Sequence, residues 1–197
     1  HDVKSLINLI GERQFIDRLN AGFATSEKVS FNALGDNMGA YPINHGNETN
    51  MQAAYLFSYT SEPWHTQKWA RAIQEKYYGM GPRDAYPGDE DQGQMSSWYI
   101  LSSIGLFQMD GGCSKDPVWL LGSPRFDRVE ILLDNTYYSG KKLIIKAENV
   151  SKDNCYIQYV RFNNKRLSNN YIEWSKLKKG GTLHFIMGDR PNPNAFK

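Results

Sequence analysis

The sequence predicts an α+β fold in which part of a helical toroid precedes a small antiparallel β domain. Apolar residues recur at helical spacing up to about residue 107. From 108 onward, short runs rich in β-branched and aromatic residues take over. The switch of period divides the chain into a helical half, 1–107, and a strand half, 108–197.

In the helical half, Val3, Leu6, Ile7 and Ile10 predict a first helix, with Asp2 as its N-cap. Gly11 interrupts the pattern, and Phe15, Ile16 and Leu19 resume it. Residues 24–48 carry Gly, Asn and Pro without a period and predict a long loop of the kind that carries function. Helices are expected at Asn50–Tyr59, Thr66–Tyr78 and Met95–Gly105, with a turn-rich link at 79–88. In the strand half, Val129–Leu133, Lys142–Lys146, Tyr156–Val160 and Thr182–Met187 predict strands. Asn163-Asn164-Lys165 predicts a hairpin turn, and the tail from Pro191 to Asn194 is irregular.

The 197 residues are 40% hydrophobic and 22% charged, as in ordinary globular proteins. A net charge of +2 gives no electrostatic case for nucleic acid or an anionic membrane as a partner. No apolar stretch is long enough for membrane insertion. The chain opens at His1 without a start methionine, which suggests a processed or truncated piece. Cys113 and Cys155 allow one disulfide, but two unpaired thiols fit their isolation better.

The chemistry concentrates in Gly88-Asp89-Glu90-Asp91-Gln92-Gly93. Like charges packed this tightly repel and raise one another's proton affinity, so a fold keeps them where a cation or a polarised water uses them. In an extended loop, alternate residues project the same way, so Asp89 and Asp91 can converge on one water. Such neighbours suit a base and its helper. The acid and base of an inverting glycosidase stand roughly 6.5–9.5 Å apart. Glu90 is either solvated or hydrogen-bonded to the N-terminus of the following helix. Asn44-His45-Gly46-Asn47-Glu48-Thr49-Asn50 gathers hard oxygen ligands of the kind Ca²⁺ takes, though Asn and Thr also cap helices. Trp64, before a helix, is a candidate platform for a sugar ring or a packing anchor. His1 and Asp2 could hydrogen-bond sugar hydroxyls or form a cap. No phosphate-binding glycine loop or nucleophile elbow is present.

These segments, together with Pro63-Trp64-His65-Thr66-Gln67, Gly88 through Tyr99, Gly122 through Asp127 and Met187-Gly188, resemble glycoside hydrolase family 92 over essentially the whole chain. That family comprises calcium-dependent, exo-acting α-mannosidases. The resemblance implies a partial (α/α)6 toroid and inverting hydrolysis of terminal α-mannosides in mannan or N-glycan chains. It implies Asp91 as general base, assisted by Asp89, and Glu48 with Asn47 at a Ca²⁺ that holds the 2- and 3-hydroxyls of mannose. His45, Trp64, Asp2 and Glu90 become candidate substrate-binding residues. Partners would be an α-mannoside oligosaccharide and the N-terminal part of the same protein. A periplasmic or secreted location follows from the resemblance alone.

His65 stands where the family usually has Lys. The family's N-terminal β-sandwich and the helices carrying its general acid have no counterpart here, so the isolated chain is expected to have little activity. Competing readings are a non-catalytic carbohydrate-binding or scaffold fragment, and another inverting glycosidase or phosphorylase on a similar toroid.

Overall fold

The computed structural model describes residues 2–197; His1 lies outside them. The chain forms two compact units, 1–100 and 101–197. The boundary falls earlier than the sequence pattern placed it. Helical spacing continues to residue 103, but the last residues of that helix and the strand after it belong with the second unit.

The first unit is helical. Helix α1, Val3–Ile10, starts under the Asp2 cap, whose carboxylate accepts from the Ser5 amide at 3.0 Å. Helix α2, Glu12–Ser26, runs into the stretch expected to be loop. It is extended because Phe23 and Ser26 lie on its buried face. Two 3-10 turns follow, Glu27–Val29 and Gly35–Gly39. The helix expected at Asn50–Tyr59 is a short α3, Glu48–Met51, and then a 3-10 run, Ala53–Tyr59. Helix α4, Trp64–Lys76, and helix α5, Gln94–Ser103, lie close to their expected positions. The core is aromatic. Phe23 stacks on Trp69 at 5.3 Å between centroids, with Phe31 and Phe57 against Phe23. All four are essentially fully buried, and each contributes about 1.5–3 kcal/mol by leaving water.

The second unit holds two sheets. The first is antiparallel: β1 (Leu106–Phe107), β2 (Val118–Leu121) and β7 (Tyr171–Glu173), in the order β1-β2-β7. These strands are too short to show a period in the sequence. The second contains β3 (Arg128–Leu132), β4 (Lys142–Glu148), β5 (Tyr156–Phe162), β6 (Lys165–Arg166) and β8 (Gly181–Gly188), in the order β3-β4-β8-β5-β6. A short helix, α6 (Trp174–Leu177), precedes β8.

The expectation of a purely antiparallel domain is corrected here, because β8 runs parallel to β4 and antiparallel to β5. A strand inserted between two oppositely running neighbours must be parallel to one of them. Sequence-local hairpins do not reveal such an insertion. The β5–β6 turn is the expected one, with Asn163 and Asn164 both at positive φ (48° and 66°), as a two-residue hairpin loop demands. Leu143, Ile145, Val160, Leu183, Phe185 and Met187 form the core. Cys113 and Cys155 are not joined in a disulfide. No helix among the described residues is long and apolar enough to cross a membrane.

Candidate active site

Two loops of the first unit meet through glycine. A Cβ built on Gly88 would lie 2.5 Å from the Gly46 Cα and 2.5 Å from Tyr77 Oη. A Cβ on Gly46 would lie 2.9 Å from the Gly88 Cα and would also strike Tyr77 Oη. Only glycine lets the backbones approach this closely. The contact sets Glu48, at the start of α3, beside the 89–91 acids that precede α5.

Interaction with the Glu48 side chain, followed by desolvation and the charges of Glu48, Asp89 and Glu90, pushes the Asp91 carboxyl above the usual range. Asp91 sits at φ +52°, and its Oδ2 is buried without a hydrogen-bond partner. Glu48, Asn47, Asp89, Asn44 and Asn32 line one cavity of about 310 Å³.

The neighbouring acid has a separate task. Glu90 accepts from Gly93 N, from Ser96 Oγ at 2.6 Å and from Ser96 N at 3.1 Å. These bonds, led by that from the Ser96 hydroxyl, hold its carboxylate below the usual range. The carboxylate therefore caps α5, the second of the two roles its sequence allows.

His45 lies beneath this surface, fully buried. Burial drives its imidazole down to about 3, so it is neutral. Its Nε2 bonds Tyr78 Oη at 2.7 Å, and Tyr78 donates to Met95 O at 3.4 Å. Trp98 and Tyr77 pack edge-on against it, at 4.3 and 4.9 Å between ring centroids. A ring with no exposed surface supports the site from below and does not contact a sugar.

The donor set suits a hard cation. The acids are carboxylates, and the side-chain oxygens of Asn32 and Asn44 have no hydrogen-bond partner. Asn47 uses its side-chain oxygen to cap α3, accepting from Thr49 N at 3.3 Å and from Thr49 Oγ1 at 3.0 Å, which occupies both of its lone pairs. Among the described residues no group of three or more His, Cys, Asp or Glu is arranged to hold a metal. A cation here would therefore draw on amide oxygens as well as carboxylates.

Residues 1–189 match the glycosyl hydrolase family 92 catalytic domain. The chain belongs to that family.

A family 92 α-mannosidase of Bacteroides thetaiotaomicron, solved with mannoimidazole, is 31% identical with a TM-score of 0.82. It aligns with 99% of this chain and 25% of its own. An inverting mannosidase of the same family and organism is 30% identical with a TM-score of 0.79, over 100% of this chain and 27% of its own. A fungal protein of Arthroderma benhamiae, described as an uncharacterized secreted glycosidase, is 29% identical over 95% of this chain and 22% of its own length. The chain thus spans about a quarter of its family 92 relatives.

Within this family 92 chain, Asn47, Glu48, Asp89 and Asp91 come together. Asp2 serves as the α1 cap, and Trp64 opens α4 with its ring 6.1 Å from that of His65. Neither lines the cavity. His65 bonds Glu62 at 2.9 Å, which occupies it locally. Sequence reasoning missed Asn32, half-buried in a loop without period, and Tyr77, which reads as an apolar helix-face residue.

Proposed function

We propose that this chain supplies the general-base side and part of the calcium site of an inverting exo-α-mannosidase built on an (α/α)6 toroid. The observation that carries the reading is the placement of Asp91, set among the charges of Glu48, Asp89 and Glu90 with its Oδ2 unpartnered. An unpartnered carboxylate oxygen is the acceptor that a hydrolytic water admitted beside it would need. Asp89 assists by holding the same water, and its charge raises the proton affinity of Asp91. Glu48, Asp89, Asn44 and Asn32 are the oxygens offered to calcium, with Asn47 beside them. Bound calcium would hold adjacent sugar hydroxyls and neutralise the crowded acids.

Glu48, Asp89 and Asp91 crowd one another too closely to act as the acid–base pair of an inverting enzyme, which needs roughly 6.5–9.5 Å between its two carboxyls. The general acid is therefore assigned to another part of the parent protein, and the isolated chain is expected to be nearly inactive. The substrate is a terminal α-mannoside, in keeping with the mannosidase relatives, and the secreted fungal relative supports a periplasmic or secreted location.

The test is mannose release by the full-length parent. Asp91→Asn is expected to lower kcat by about 10²–10⁴-fold with the fold intact. Proton NMR of the first product should show the β-anomer. An Asp91→Asn enzyme with wild-type turnover, or an α-anomer released first, would refute the assignment.

A further inference from the structure

We propose that Tyr77 is a positioning residue: its hydroxyl donates to a water held beneath the Gly46–Gly88 contact, and that water fixes the carboxylate of Asp89. The inference rests on the functional reading above. Tyr77 is 3% exposed, and its Oη has no hydrogen-bond partner among the described residues. Yet this oxygen lies against both glycines, at the join of the two loops that carry the acids. A hydroxyl left dry there would cost stability, and a larger residue at either glycine would collide with it.

The space beside it is not closed. A second cavity of about 240 Å³ is lined by Tyr77, Ser30, Asn32, Lys76 and Asp84. Asn32 and Pro87 line both this cavity and the one that contains Glu48 and Asp89. Asn32 Oδ1 is also buried and unpartnered. Tyr77 and Asn32 thus share one cavity and Asn32 reaches the other, each with a buried, unpartnered oxygen, and burial and then the Asp89 charge raise the tyrosine pKa. A buried water is held by about two to four polar partners, and Tyr77, Asn32 and Asp89 supply three kinds of them. The water lets a neutral phenol steady a carboxylate it does not touch.

The decisive variant is Tyr77→Phe in the full-length parent, which removes one oxygen and keeps the ring packed on His45 and Tyr78. The expected loss is about tenfold in kcat, with KM and the unfolding midpoint essentially unchanged. In an Asp89→Asn background the same change should cost less than about twofold, because the two residues act as a unit. Wild-type kcat in Tyr77→Phe, or an undiminished further loss in the Asp89→Asn background, overturns the proposal. So does a crystal structure of the parent with no water on Tyr77 Oη. Should the wild-type parent release no mannose, the mannosidase reading fails instead, and the crystallographic result alone decides the water.

Discussion

At the scale of single residues, the site depends on what is missing from two positions. Gly46 and Gly88 have no Cβ, and that absence lets Glu48 reach Asp91. Gly88→Ala is expected to force the loops apart and destabilise the parent by about 1–3 kcal/mol, as overpacking does. Urea unfolding measures that cost, and mannose release should fall with it as the carboxyls separate. An alanine that left both quantities unchanged would show that the contact is soft. The triple acid itself is legible in the sequence, because its charge crowding has no cheap structural use. Its partner is not legible: Glu48 lies 40 residues earlier than Gly88, and nothing local pairs them. Nor does the sequence tell the tasks of the three acids apart. Glu90 is drawn off by the amides at the start of α5, a task that Asp89 and Asp91 do not share. His45 has the composition of a ligand and the environment of a core residue, and only the surrounding rings decide between them.

Among the elements, long periodic segments are the most legible. Helices α1, α4 and α5 and strands β4, β5 and β8 fall close to their expected positions, since each buries one face along its length. Short elements are lost. Strands β1, β2 and β7 have two to four residues each, too few for alternation to register. The hairpin between β5 and β6 is readable because a left-handed backbone favours Asn. Asn163 also accepts from the Thr182 amide at 2.8 Å, tying the turn to β8. Asn163→Ala is expected to cost about 1–2 kcal/mol through the left-handed backbone. The lost bond to Thr182 would add about 1 kcal/mol. Thermal unfolding of the parent measures this, with Asn164→Gly as a tolerated control.

Over the whole molecule, the chemistry gathers in the first unit, and the second is built around one long sheet. If calcium occupies the oxygen-rich cavity, a chelator should abolish mannose release by the parent, and added Ca²⁺ should restore it. Release that persists in excess chelator would remove the metal from the proposal while leaving Asp91 in place. The helix-then-strand division was legible as a change of period. The insertion of β8 was not, because it joins residues far apart in the chain. That insertion has a consequence for biogenesis. A ribosome will have produced β3 through β7 before the strand that bridges them exists. Until then the facing edges of β4 and β5 have no backbone partner, and such unpaired edges expose the nascent polypeptide to aggregation.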